Sequence, residues 1–191
     1  MSDCLNPVRQ ILAAARFAAE RHAGHRRKGP TAEPYVNHLL EVAELLARTA
    51  DHLDTNLIVA ALLHDTIEDV GVTRAEIVER FGEDVASLVA EVTDDKSLPK
   101  EVRKALQVEH APGKSARAQA LSAADKIANL RSIATSPPAD WTFERRVEYV
   151  RWARKIVGHY KHLNGRLAAE FQQLNADLQE WEKSGGTKDF F

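Results

Sequence analysis

Residues 57–69 read LIVAALLHDTIED, and the rest of the chain is best understood outward from them. Leu57 to Leu63 are apolar without interruption, and a helix that is apolar on every side belongs in a protein interior. His64, Asp65, Glu68 and Asp69 follow directly. Three acids and an imidazole at the end of a buried helix need a compensating charge, because an ionised carboxylate out of water is expensive without one. A divalent metal ion is the simplest partner. On a helix the i,i+4 spacing places His64 over Glu68 and Asp65 over Asp69, in two adjacent columns.

At 191 residues the chain suits one domain, long enough to bury most of the apolar surface its unfolded form would expose. With 26 basic against 28 acidic residues and a formal charge of −2, it has no global attraction to nucleic acid or to an anionic membrane, so neither is expected as a partner. Any charge that binds phosphate must be local. Cys4 is the single cysteine, which excludes an intramolecular disulfide and a cysteine-rich zinc site and fits a reducing, cytoplasmic setting. MSDCLNPVRQ lacks the basic start and long apolar run of a signal peptide. No apolar stretch approaches the roughly 18 residues that span a bilayer. A homo-oligomer stays open at this level.

Val8, Ile11, Leu12, Ala15, Ala19 and His22 recur at helical spacing, behind Asn6 as N-cap and Pro7 in the first turn. That helix empties into His25-Arg26-Arg27-Lys28-Gly29-Pro30, a basic run ending in a turn. Taken alone, such a run is more often a solvated face than a binding site. His38 opens the next helix, with Leu39, Val42, Ala43 and Leu46 facing inward. A solitary histidine there would be read as a hydrogen-bonded core residue. The connection from Ala50 to Asp54 is short, however, so this helix and the next run antiparallel, bringing the start of one near the end of the other. Those ends carry His38 and His64, and the two imidazoles can meet.

Gly71 stops the central helix, and Thr73-Arg74-Ala75-Glu76 matches a capping box for a short helix ending at Phe81-Gly82. Val85, Leu88, Val89 and Val92 form another stripe, and Thr93-Asp94-Asp95-Lys96 is expected to be a helix-ending loop rather than a second metal group. Pro99 starts a polar helix that ends near His110, a surface residue. From Ser115 to about Ser132 the pattern is helical again. Asp125 and Asn129 project there from an otherwise apolar side, and the carboxylate pairs either with a protein cation or with the metal. Thr142 caps a helix carrying Val147, Val150, Ala153, Val157 and Tyr160, with Arg145 and Tyr149 as its polar exception. Leu167, Phe171, Leu174, Leu178 and Trp181 line the last helix, and SGGTKDFF, residues 184–191, reads as a flexible tail. No stretch alternates like a strand and no long period repeats. The expected fold is all-α: a single compact helical domain over residues 1–183 with about eight to nine helices.

The ordered set His38, then His64-Asp65, then Asp125 resembles the pattern of the HD superfamily of metal-dependent phosphohydrolases. More narrowly, RRK at 26–28, EPYVNH at 33–38, ALLHDTIED at 61–69, FGEDVASLVAEVTDDK at 81–96 and ADKIANLR at 124–131 are similar to the ppGpp hydrolase domain of the Rel/Spo family, especially its free-standing small alarmone hydrolases. The similarity runs from Ala13 to about Leu174 and leaves no room for the synthetase domain of long members. Ser122 and Ala123 depart from the pattern, since relatives often carry a basic and a larger apolar residue there.

The resemblance implies an HD-type domain that hydrolyses the 3′-pyrophosphate of ppGpp or pppGpp, a small-molecule nucleotide, to GDP or GTP and pyrophosphate. It implies Mn²⁺ as cofactor, held by His38, His64, Asp65 and Asp125. Such a first shell, with two imidazoles and two carboxylates, suits a divalent ion with open positions. Glu68 and Asp69 are the expected catalytic pair, orienting or deprotonating the water; acids near a helix C-terminus oppose its dipole and have no stability motive there. By the same resemblance Arg27 stacks on the base, Lys28 meets phosphate, Asn129 bonds to the ribose, and Arg145 and Tyr149 complete the pocket. Two alternatives remain: a phosphatase acting on the 2′-phosphate of NADPH or another HD nucleotide phosphohydrolase, and a sensor that binds nucleotide without turnover. The complete set of His38, His64, Asp65, Glu68, Asp69 and Asp125 argues against the sensor.

Overall fold

The structure is a computed structural model that describes residues 6–187. These residues form α1 (Pro7–Arg21), α2 (Val36–Thr49), α3 (Thr55–Leu63), α4 (Thr66–Val70), α5 (Arg74–Phe81), α6 (Glu83–Val92), α7 (Lys100–His110), a 3-10 turn at Ala111–Gly113, α8 (Ala116–Thr135), α9 (Phe143–Gly158) and α10 (Gly165–Lys183). Among the described residues there is no strand, only an isolated bridge between Arg26 and Pro34. The all-helical reading holds.

Helix α3 is the axis of the molecule. Ile58 to Leu63 are all buried, and α3 packs against α1, α2, α6 and α8. Burying each such aliphatic side chain is worth roughly 1.5–3 kcal/mol, so this one helix explains why the others gather round it. Its start is set by Asp54, whose carboxylate accepts from the Leu57 N–H at 3.0 Å. The same device starts α1 at Asn6, α5 at Thr73, α8 at Ser115, α9 at Thr142 and α10 at Asn164.

The stretch read as one helix from Leu57 to Asp69 is two. Asp65 sits at φ −96°, ψ 0°, between the α and bridge regions, and the buried Thr66 hydroxyl donates to the Leu63 carbonyl at 2.6 Å. The chain bends there and restarts as α4, which ends at Gly71 in the left-handed region, φ 70°. The helix count is therefore one more than the upper expectation. The bend also undoes the expected columns, because His64 turns toward its neighbour Asp65 instead of stacking on Glu68.

Between α1 and α2 the basic run is not a loose loop. The Arg27 N–H donates to the Glu33 carbonyl at 2.9 Å and the Tyr35 N–H to the His25 carbonyl at 3.0 Å. Gly29 closes this loop against the end of α8, where a Cβ would come within 2.4 Å of Ser136 Oγ and 2.8 Å of the Ser136 carbonyl. At the other end, the Gly186 N–H donates to the Trp181 carbonyl at 3.0 Å to finish α10, so residues 184–187 of the expected tail cap that helix. Residues 188–191 and Cys4 lie outside the described residues.

Candidate active site

Four elements meet beneath the basic loop. His38 comes from the first turn of α2, His64 and Asp65 from the bend between α3 and α4, and Asp125 from the middle of α8. His38 Nε2 lies 3.1 Å from Asp125 Oδ1 and 3.8 Å from Asp65 Oδ2; His64 Nε2 lies 3.1 Å from Asp65 Oδ2 and 3.7 Å from Asp125 Oδ1. Both imidazoles are buried, at 3% and 6% exposure. The ligand atoms of His38, His64 and Asp65 all fall within 4.8 Å of one another, a grouping that can hold a metal ion. Ligands about 2.0–2.2 Å from a common ion stand about 3 to 3.6 Å apart at ordinary coordination angles, close to the spacings seen here.

The donor chemistry fits as well. His64 Nδ1 is 2.8 Å from the Ala61 carbonyl, which only accepts, so this nitrogen carries a proton. His64 Nε2 is then left buried without a hydrogen-bond partner, facing two carboxylates. Burial opposes charge on the ring, yet the Asp65 carboxylate prevails and drives the His64 pKa well above its ordinary value. Burial likewise opposes charge on Asp125, and Lys126 with the two imidazoles holds its carboxyl well below the usual range. The cluster therefore calls for a cation at its centre, and a metal ion entering there would displace the proton.

Each carboxylate is oriented from behind. The Tyr35 hydroxyl donates to Asp65 Oδ2 at 2.7 Å, the Lys126 ammonium to Asp125 Oδ2 at 2.9 Å, and the Asn129 amide to Asp125 Oδ1 at 2.6 Å. Tyr35 is itself clamped in a stack, its ring 3.9 Å from that of His25 and 5.0 Å from that of His22. Sequence reasoning assigned no role to Tyr35 or Lys126. The available signals were local: Tyr35 precedes His38 by one turn, and Lys126 is a lysine on an otherwise apolar face directly after a carboxylate.

Glu68 and Asp69 stand beside the cluster on α4. The Glu68 carboxylate accepts from the Asp94 N–H at 3.3 Å and lies 3.5 Å from the Lys96 ammonium and 3.6 Å from the Arg103 guanidinium. Burial and the Asp94 charge raise its pKa. Asp69 accepts from Lys96 at 2.6 Å. The Asp94-Asp95-Lys96 segment is a loop, as expected, but it folds back onto α4. Asp94 thus faces the site, accepting from Gln107 at 2.6 Å, while Asp95 bonds only within its own turn to Ser97.

Three openings surround the cluster. A cavity of 440 Å³ is lined by Arg27, Lys28, Tyr35, Asp69, Asn129 and Tyr149. An inner chamber of 160 Å³ reaches His64, Asp65 and Asp125 from the other side. A broad groove of 650 Å³ carries Lys28, Lys100, Arg103, Lys104, Arg145 and Tyr149. Arg27, Lys28, Asn129 and Tyr149 thus share one cavity, and Arg145 joins Lys28 and Tyr149 in the adjoining groove. Arg27 lies over the Tyr35 ring at 5.7 Å and donates to Asn129 Oδ1 at 3.1 Å, linking the basic run to Asp125 through one amide. Arg145 lies over Trp141 at 4.5 Å, and that indole, which sequence reasoning passed over, stands on the ridge between cavity and groove. Burial pushes the Tyr149 hydroxyl up to about 12.

The family model described as "HD domain" matches residues 14–167. The chain belongs to the HD domain family. This HD domain is 46% identical over 167 residues to the guanosine-3′,5′-bis(diphosphate) 3′-pyrophosphohydrolase MESH1 of Xenopus tropicalis, covering 87% of the present chain and 93% of that one. It is 44% identical over 165 residues to the human protein of the same name, covering 86% and 92%. A solved structure described as "A metazoan ortholog of SpoT hydrolyzes ppGpp and plays a role in starvation responses" matches with a TM-score of 0.84 at 39% identity, covering 92% of this chain and 96% of that one. Among the described residues, no helix of this HD domain is long and apolar enough to cross a membrane.

Proposed function

We propose that the chain is a guanosine-3′,5′-bis(diphosphate) 3′-pyrophosphohydrolase that uses a divalent ion, Mn²⁺, held by His38, His64, Asp65 and Asp125. The observation that carries this reading is the convergence of two imidazoles and two carboxylates, 3.1–3.8 Å apart, beside a cavity faced by Arg27 and Lys28. The curated relatives that match over nearly their whole length bear this activity in their names.

When bound, the ion polarises a phosphoryl oxygen and makes a water acidic near neutral pH. The protein's own groups do the rest. The Arg27 guanidinium is placed to stack on the purine and the Lys28 ammonium to meet phosphate, which a protein of net charge −2 needs. Asn129 presents its amide to the ribose, and Tyr149 and Arg145 close the outer wall. Water attacks the ribose-attached phosphorus, its oxygen forming the new P–O bond as the bond to O3′ breaks. Glu68 takes the water's proton, and a proton reaches O3′ on the Asp69 side, so GDP and pyrophosphate leave together. The single cysteine places the reaction in a reducing, cytoplasmic setting.

The test is a panel of purified protein with Mn²⁺, Mg²⁺ or Zn²⁺ against ppGpp, NADPH and ordinary nucleotides, with pyrophosphate and orthophosphate measured separately. Mn²⁺-dependent release of pyrophosphate from ppGpp is the expected result. Orthophosphate as the sole product from ppGpp, or turnover of NADPH alone, overturns the assignment.

A further inference from the structure

The inner chamber holds a charge that the chemistry above leaves unused. Two lysines face it, Lys126 from α8 and Lys114 from the turn before α8. Lys126 is paired with Asp125 at 2.9 Å. Lys114 forms no ion pair among the described residues, and its ammonium donates only to the main-chain carbonyl of Glu91. The Glu91 carboxylate is itself held by the Ser115 N–H and hydroxyl. Burial pulls the Lys114 pKa down, and Lys126 pulls it further while Glu91 and Asp94 resist.

A half-buried ammonium without a counter-charge weakens a fold. The acids of the chamber do not supply that counter-charge: Asp94 is taken by Gln107 and lies near Arg103, Glu68 lies near Lys96 and Arg103, and Asp65 and Asp125 face the metal position. Geometry supplies the motive instead. The chamber opens on the cluster opposite the large cavity, and the two spaces share Tyr35 and Asn129 as a common wall. With the nucleoside in the outer cavity and the first phosphorus at the cluster, whatever follows that phosphorus points into the chamber. The Tyr160 and Ser122 hydroxyls, 2.6 Å apart, add polar atoms there.

We propose that this chamber seats the distal phosphate of a ribose 3′-diphosphate and that Lys114 is the cation that binds it, which makes Lys114 a residue selecting diphosphate over monophosphate. The assignment rests on the pyrophosphohydrolase reading for its substrate. Its test, by contrast, is a binding measurement that needs no turnover.

Protein loaded with Mn²⁺ is titrated with inorganic pyrophosphate and, separately, with orthophosphate at buffered free Mn²⁺, for wild type, Lys114→Met, Lys114→Gln and Lys114→Arg. Wild type should bind pyrophosphate more tightly than orthophosphate. Lys114→Met and Lys114→Gln should weaken pyrophosphate by about 10- to 100-fold, the scale of one charged hydrogen bond, with orthophosphate nearly unchanged and Lys114→Arg close to wild type. The Gln variant keeps a donor for the Glu91 carbonyl, and Mn²⁺ affinity confirms that each variant retains its metal site. In kinetics on ppGpp the same two variants should raise KM far more than they lower kcat. Wild-type pyrophosphate affinity in Lys114→Gln overturns the proposal, as does an equal loss for both anions. Absence of ppGpp hydrolysis in wild type defeats the proposed function alone, because the anion titration still decides the role of Lys114.

Discussion

The Tyr35 hydroxyl donates to Asp65 Oδ2 at 2.7 Å, and that same oxygen lies 3.1 Å from His64 Nε2 and 3.8 Å from His38 Nε2. A residue of the loop before α2 thereby aims a carboxylate of the α3–α4 bend at the point where both imidazoles converge. Removing the donor while keeping the ring should loosen the ion without disturbing the fold. Tyr35→Phe is expected to weaken Mn²⁺ binding by about 10- to 100-fold, the usual cost of losing an outer partner of a metal ligand. Calorimetric titration with Mn²⁺ measures this, and activity should return at saturating metal. Unaltered Mn²⁺ affinity in the variant would mean that Asp65 holds its orientation unaided.

Glu68 and Asp69 belong to the chemistry rather than to metal binding in the proposed reaction. Glu68→Gln and Asp69→Asn should each retain Mn²⁺ and nucleotide yet lose on the order of 10²-fold in kcat. Metal titration and steady-state kinetics on the same preparations separate the two effects. If kcat stays at the wild-type level in both variants, the pair is a helix-end acid cluster held by Lys96 and nothing more.

Gly29 bears on substrate binding through a contact 107 positions away in sequence. A methyl group there would sit 2.4 Å from Ser136 Oγ and 2.8 Å from the Ser136 carbonyl, and the backbone oxygen cannot swing aside as a side chain can. Gly29→Ala should push the loop carrying Arg27 and Lys28 away from Asn129, raising KM for ppGpp several-fold, with kcat and Mn²⁺ affinity little changed. Wild-type KM would show that the loop adapts freely.

His22 should make stability fall in mild acid. It is 2% exposed, its Nε2 is buried without a hydrogen-bond partner, and its Nδ1 lies 3.1 Å from that of His25. Burial lowers its pKa below the model-peptide value of 6.5, with His25 and His64 adding to the shift and Asp65 and Asp69 opposing it. Protonation therefore favours the unfolded chain: the contribution is complete above pH 6.5 and is lost as pH falls through the lower folded-state value. Denaturant unfolding at pH 7.5 and at pH 5.5 should show a smaller acid loss for His22→Gln than for wild type. Equal losses would assign the acid sensitivity to other groups.

Local chemistry made most of the fold legible. The apolar run from Leu57 to Leu63 declared a buried central helix, and short polar side chains at Asn6, Thr73, Ser115 and Thr142 declared helix starts, because capping is settled within three residues of the cap. Even the meeting of His38 with His64 followed from a short connection between two helices, and their rings stand 5.4 Å apart. The bend at Asp65 was not legible, since it depends on the Thr66 hydroxyl reaching the Leu63 carbonyl against the continuous helical periodicity on either side. Nor were the turning of Asp94 toward Glu68, the clamping of Tyr35 between His25 and Asp65, or the placing of Lys114 in the inner chamber. Periodicity assigns a residue to a face of its own helix. Which carboxylate, ammonium or ring stands opposite that face depends on how α4, α6 and the turn before α8 pack together, and side chains 20 to 30 positions apart acquire their partners only in that packing.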